Sequence, residues 1–305
     1  MSSLLWSERV TWETRSMKLY VIVASIGRAE LLAATIGHLS DQTRHPDGVL
    51  VVSVSDADVA GVQPQTAFPV EIIFAEMGLP KQRNAGLRHL AGKADIIVFF
   101  DDDFVPSRTY LAELEALFAS RPEVVGATGR VIADGIKTRG ISFTEAVRLN
   151  AEDVPPPVTH EREMPALYGC NLSARASATK DLWFDENLPL YGWQEDVDFS
   201  YQLGKRGKLL LTDRLAGVHM GAKSGRTSGR RLGYSQIANP VYLLRKNTIP
   251  HRLAWRLMVK NVAANALRTL RPEPYIDRRG RLVGNLLAIK DYARGKLHPM
   301  LVWDL

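Results

Sequence analysis

Three consecutive carboxylates, Asp101, Asp102 and Asp103, follow directly on the apolar run Ile96-Ile97-Val98-Phe99-Phe100. Adjacent anions repel one another, so a fold keeps such a cluster at a strand end mainly where a divalent cation neutralises it, and hard oxygen ligands suit Mg²⁺ or Mn²⁺. The plain alternative is a solvated acidic turn. Five apolar residues immediately before the triplet favour a strand tip instead, the place where α/β proteins bind ligands. A second acidic group lies in Tyr191-Gly192-Trp193-Gln194-Glu195-Asp196-Val197-Asp198. Carboxylates are favoured in a first helical turn by the helix dipole, and one aimed at a substrate hydroxyl can take its proton as a general base. Only one of Glu195 and Asp196 can point correctly.

Lesser signals surround these two groups. The first strand ends Ala24-Ser25-Ile26-Gly27-Arg28, with neither the dinucleotide glycine pattern nor a P-loop; Arg28 is either a surface residue or a contact for phosphate or base. At the end of the second strand Asp56 can accept hydrogen bonds from a base or ribose, or simply form a turn. The stretch Gly78 to Gly86 places Lys81 and Arg83 at a helix start, which suits an anion such as a diphosphate. Gly169-Cys170-Asn171-Leu172-Ser173 is small and polar, fit for close approach of a ligand or for a plain turn. His219 precedes the basic loop Lys223-Ser224-Gly225-Arg226. A lone His is usually structural; beside an Asp cluster it can give a nitrogen to Mn²⁺, while the loop clamps a diphosphate.

The elements that must position these residues are legible as periodicities. Strands are expected at 18–25, 49–55, 70–74 and 96–100, with helices at 29–40 and 81–90, an alternation that argues for a largely parallel sheet with covered faces. A helix over 108–119 and a strand over 124–132 follow. Residues 133–165, with Pro155-Pro156-Pro157, read as irregular. Beyond them the sequence predicts an extended 167–174, a helix at 195–203, a strand at 208–211 and mainly helix from 231 onward.

At 305 residues, 46% hydrophobic and 24% charged, the chain can bury a sizeable core. No run approaches a membrane span, the start lacks a signal-peptide core, and the single Cys170 excludes an internal disulfide. A cytoplasmic protein is the expectation. The net charge of +6 conceals an asymmetry: 18 Lys and Arg against 28 Asp and Glu over residues 1–203, but 21 against 5 over 204–305. Within the basic third, Arg252, Arg256 and Lys260 share a helix face among Trp255, Leu257, Met258, Val259 and Val262, and Arg278, Arg279, Arg281, Lys290 and Arg294 add further cations. Such a region is either a solvated face of a packed helix or a contact for anionic lipid.

Taken in order over residues 18–250, these pieces resemble the family 2 glycosyltransferases, inverting enzymes of the GT-A fold. The resemblance implies an α/β nucleotide-binding sheet, mostly parallel with helices on both faces, followed by a mainly helical, basic C-terminal region. It divides the chain into an extension (1–16), a nucleotide-sugar-binding half (17–132), an acceptor-binding and catalytic half (133–230) and the helical region (231–305). It implies that Ala24, Ser25 and Arg28 border the nucleotide, with Asp56 near base or ribose and Arg83 near the diphosphate. Asp101 and Asp103 correspond to the ends of the metal-binding D-x-D, with Asp102 facing ribose or metal, and His219 to a further ligand of Mn²⁺ or Mg²⁺. Asp196 matches the base, with Glu195 beside it. Asn171, Trp193, Ser224 and Arg226 fall to the acceptor or the diphosphate loop.

Partners so implied are a nucleotide-sugar donor and a saccharide or lipid-linked acceptor of surface polysaccharide synthesis, with no nucleic acid expected. A peripheral contact with the inner face of the membrane would bring the enzyme to a lipid-linked acceptor. Two departures stand out: Ser53 occupies the position of a common first Asp, and the first strand lacks the usual Pro-Thr-Tyr-Asn wording. The rival readings are a sugar-phosphate nucleotidyltransferase, which should carry a Gly-rich loop with Arg after its first strand, and a non-enzymatic binder of acidic membrane or nucleic acid.

Overall fold

A computed structural model describes residues 16–224, 227–271 and 273–305. Its first half follows the alternating pattern: β1 (Leu19–Ala24), α1 (Ala29–His38), β2 (Gly48–Ser53), β3 (Val70–Phe74), α2 (Leu79–His89) and β4 (Ile96–Asp101). These four strands pair parallel in the order β3-β2-β1-β4. The central strands β1, β2 and β4 read as unbroken apolar runs because helices cover both faces of the sheet. Leu19, Val21 and Val23 pack with Leu32 and Ile36 of α1. Ile22 turns to the opposite face with Leu87 of α2. Side chains along a strand alternate in this way, and the alternation runs on into the acidic triplet.

After β4 come β5 (Phe104–Pro106), α3 (Tyr110–Ser120), β6 (Val124–Asp134), α4 (Phe143–Glu152), β7 (Glu161–Glu163), β8 (Asn171–Arg175), α5 (Glu195–Leu203) and β9 (Lys208–His219). The sheet continues through β8, β6, β9 and β5 to nine strands among the described residues, β7 pairing with β9. β8 is antiparallel to both β4 and β6, and β9 is parallel to β6 but antiparallel to β5 and β7. The first four strands are thus wholly parallel, whereas the second half is mixed and holds one parallel pair, β6 with β9.

The segment 133–165 is more regular than expected, since it contains α4. Ser142 caps that helix by accepting from the Glu145 amide at 3.2 Å, and the prolines begin only after its end. β9 runs eight residues beyond the expected 211, to His219.

The last part of the chain is α6 (Gly229–Arg245), α7 (His251–Thr269) and α8 (Arg278–Ala293). Their centre combines Tyr234, Ile237, Met258 and Ala288 with buried amides. Asn265 donates to Gln236 Oε1 at 2.8 Å and to Asn285 Oδ1 at 2.9 Å, and Asn285 donates to the Gly233 carbonyl at 2.7 Å. α6 and α8 approach so closely that a Cβ at Gly233 would lie 2.0 Å from the Arg281 carbonyl oxygen, and one at Gly284 would lie 2.0 Å from that of Arg230. Only glycine permits that crossing.

Candidate active site

Register brings the site together. β1 and β4 pair so that Ala24 lies beside Asp101, while Phe104 of β5 and Asp134 of β6 both pair with His219 of β9. Three strand ends therefore converge, and one ligand atom from each of Asp101, Asp103 and His219 lies within 4.8 Å of the other two. His219 Nε2 is 3.4 Å from Asp103 Oδ1, and its Nδ1 is 3.0 Å from Asp134 Oδ1. A carboxylate behind the second ring nitrogen is the arrangement that orients a metal-binding imidazole. Burial alone would lower the His219 pKa, but its bonds to Asp103 and Asp134 outweigh burial and raise it to about 10.

Strand alternation splits the acidic triplet. Asp101 continues the face of Phe99 and meets Arg83 of α2 at 3.0 Å. Asp102 turns the other way, accepting from Ser25 Oγ and Arg28 Nη1, each at 2.7 Å. Burial pushes the Asp102 carboxyl up to about 6 against the pull of Arg28, with the Asp103 charge adding to the rise. For Asp103 burial also acts upward, yet the bond and charge of His219, the charge of Arg28 and the Ala222 amide together hold it below the ordinary range.

The second acidic group sits at the start of α5. Leu190 and Gln194 have φ of 60° and 76°, left-handed conformations that non-glycine residues hold only where surrounding structure compels them; this turn aims Glu195 and Asp196 at the sheet. Glu195 is buried and bonded to Arg83 Nη1 at 2.7 Å. Asp196 is half-buried, accepting from the Gly169 amide at 3.0 Å and from its own neighbour Val197 at 2.8 Å. A Cβ at Gly169 would stand 3.1 Å from Asp196 Oδ2, so the approach of these two segments depends on glycine. Burial raises the pKa of both acids, that of Glu195 well above the ordinary carboxylate value, while Arg83 opposes the rise.

Beside these groups lies a cleft of about 340 Å³. Of the residues expected from sequence, Ala24, Ser25, Arg28, the three Asps and His219 line it. Others do not. Asp56 is exposed beyond the tip of β2 and absent from the lining; its neighbour Asp58 is the buried one, bonded to the Gly27 amide at 2.6 Å. Arg83, expected at a diphosphate, is fully buried beneath Phe99 and Phe184, its guanidinium spent on Glu195, Asp101 and the Gly169 carbonyl. Asn171 is a core residue of β8, its amide engaged by Thr128 and the Gly129 carbonyl. Trp193 offers its carbonyl to Asn239 of α6 at 2.7 Å, and Ser224, though exposed, ties its loop to Arg28 Nε at 2.8 Å. Arg226 and residues 1–15 lie outside the described residues.

Several lining residues carry no site role in the sequence reading: Gln82, Tyr191, and above all Arg281, delivered by α8 from the far end of the chain. Asp134 was detectable in principle as an acid at a strand end. Nothing local marks Arg281 among so many basic residues.

Residues 20–175, just over half of the chain, match the model of glycosyl transferase family 2. The chain belongs to this family. No curated protein matches it by sequence. Among solved structures, the glycosyltransferase is similar to the mannosyltransferase PcManGT from Pyrobaculum calidifontis in complex with GDP-Man and Mn²⁺. The TM-score is 0.56 at 16% identity, over 95% of this chain and 86% of that one. It is also similar to S. aureus TarS in complex with UDP (TM-score 0.55, 16% identity, 92% and 88% covered). A third likeness is to GalNAc-T7 with UDP, GalNAc and Mn²⁺ (TM-score 0.53, 14% identity), where the match covers 85% of this chain and 58% of that one. At such identities the likeness is one of fold, the GT-A architecture.

Proposed function

We propose that this glycosyltransferase moves a sugar from a nucleotide-sugar donor to a hydroxyl of a saccharide or lipid-linked acceptor, with inversion and with a divalent metal, in surface polysaccharide or glycolipid synthesis at the inner face of the membrane. The observation that carries this reading is the convergence of Asp101, Asp103 and His219 on one cleft. Two carboxylates and an imidazole backed by Asp134 suit Mn²⁺ or Mg²⁺. When bound there, such an ion supplies positive charge against the diphosphate as the nucleotide leaves. The Mn²⁺ and nucleotides named with PcManGT and GalNAc-T7 support the same class of ligand.

The chain's own residues supply the rest. Ala24 and Ser25 border the nucleotide, and Arg28 and Arg281 face its phosphates across the cleft. Glu195 and Arg83 neutralise each other in the interior and hold Asp101 and the 169 loop in place. Asp196 is the general base. It is the more open of the two acids, the amides of Gly169 and Val197 fix its direction, and its raised pKa strengthens it as a proton acceptor. It takes the acceptor proton as the oxygen attacks the anomeric carbon from the face opposite the leaving nucleotide, with no covalent enzyme intermediate.

Nucleotide release from a panel of nucleotide sugars, measured with and without Mn²⁺, tests the reading. One or a few donors should be turned over only with metal, and Asp103→Ala, in protein that circular dichroism shows to be folded, should lose metal-enhanced nucleotide affinity in calorimetry. Metal-enhanced affinity unchanged in that variant would remove the triad from the account.

A further inference from the structure

We infer that the α7–α8 hairpin is a membrane-docking element whose outer face lies in the interface of an anionic bilayer and holds the donor cleft beside the lipid. On α7 and its end, Trp255, Val259, Leu267 and Leu270 are 61%, 60%, 71% and 83% exposed. Trp255 and Val259 stand four residues apart and Leu267 and Leu270 three, all on the side away from the inward Ala254, Met258 and Asn265. On α8, Val283, Leu286 and Ile289 are exposed while Gly284, Asn285 and Ala288 face inward. Among the described residues these apolar side chains belong to no core, and no helix is long and apolar enough to cross a membrane.

Charge identifies what covers them. Residues 251–305 hold eleven Lys and Arg against four Asp and Glu, and α7 contains no acid. Three of the four acids are engaged: Glu273 with Arg268 and Arg278, Asp277 in capping α8, and Asp291 in accepting from Tyr234. Arg252, Arg256, Lys260 and Lys290 are exposed, and none has an acidic partner among the described residues. A second copy of this face would repel the first. A nucleic acid would meet the cations but leave the aliphatic side chains in water. An interface of anionic headgroups over acyl chains satisfies both.

The consequence for substrate rests on the donor reading. α8 sends Arg281 into the cleft and, two residues on, Val283 outward, so the cleft opens within about one helix diameter, ~10 Å, of the docking face. The acceptor class that geometry favours is a lipid-linked saccharide.

The test is co-sedimentation of the full chain with phosphatidylcholine vesicles and with vesicles containing 30% phosphatidylglycerol, at low and high salt. Binding should require the anionic lipid and weaken with salt. The triple change Arg252→Gln, Arg256→Gln, Lys260→Gln should lower partitioning about a hundredfold, as about 1 kcal/mol per cation implies. Trp255→Ser with Val259→Ser should lower it while leaving the salt dependence in place. All five positions are exposed, and a circular dichroism melt checks that each variant folds. No binding, binding indifferent to lipid charge, or a dimer or RNA complex that these substitutions abolish in its place would each overturn the proposal. GDP- and UDP-induced thermal shifts on the same samples separate the two readings: vesicle binding without a nucleotide shift fails the donor reading alone, and the reverse fails the docking alone.

Discussion

The α/β body and the C-terminal helical unit bury different chemistry. The centre of the body is aliphatic and aromatic on both faces of the sheet, whereas the helical unit places Asn265, Asn285, Gln236 and Arg278 at its heart. Apolar burial is non-directional and tolerates exchange of one hydrocarbon for another. A buried amide network holds only one arrangement of its helices, because each donor left unmatched costs about 1–3 kcal/mol. The body is thus built for stability and the helical unit for position, which suits a module that must set one arginine in a cleft formed by the other region. The two are joined by Lys246, the C-cap of α6, which reaches Asp185 and Asp198 of the body at 2.7 Å each.

The largest expected effect confines chemistry to the body. Asp196→Asn should lower transfer by roughly 10²–10⁴-fold, the usual contribution of a general base, with donor affinity and melting temperature nearly unchanged. A larger loss from Glu195→Gln, measured in the same assay with folded protein, would move the base one residue along and undo the division of labour between these acids.

The next substitution breaks the seam. Lys246→Met leaves Asp198, with no exposed side-chain surface, without its cation, and should cost about 3 kcal/mol in urea unfolding. Burial acts upward on Asp185, yet Lys246 holds it below its ordinary 3.8; burial acts downward on Lys246, yet Asp185 and Asp198 hold it above its ordinary 10.5. A depressed acid stabilises above its unfolded value and loses that contribution as pH falls; a raised base stabilises below its unfolded value and loses it as pH rises. The gap between wild type and variant should therefore narrow as pH falls, first as the uncompensated Asp198 takes up a proton in the variant and then as Asp185 does so in the wild type. A gap that widened as pH fell would place the effect elsewhere.

The smallest effect tests whether the helical unit acts in the body's site. Arg281→Gln should weaken GDP or UDP binding about tenfold while sparing GMP and UMP, because on the proposed reading Arg281, which lines the cleft, meets the second phosphate through a charge-assisted bond. Equal losses for mono- and diphosphates in calorimetry would make Arg281 a structural residue only.

Much of the frame was legible because it arises from neighbours in sequence. Apolar runs predicted β1 to β4 and the start of α5 to within a few residues, and the charge asymmetry pointed to the basic helices. α4 was missed because the proline run beside it outweighed a short helix, and the last part of β9 because Asp213 and Arg214 interrupt its apolar pattern. Within the site, the identity of the acids could be read but not their partners. Arg83 looks the same in sequence whether it meets a diphosphate or Glu195, and Asn171 whether it meets a sugar or Thr128.

The sequence by itself determined that carboxylates stand at a strand end and a helix start, that a histidine closes a later strand, and that the chain ends in cationic amphipathic helices. These are properties of spacing along a strand or helix. Only the tertiary structure decided that Asp101 and Asp103 meet His219 while Asp102 turns to Arg28, that Arg281 reaches the cleft, and which side of α7 faces outward. The partners in these pairs lie from about 70 to more than 170 residues apart in the chain. Which of several equivalent charges is brought to which is set by sheet register and helix crossing, and neither leaves a local trace.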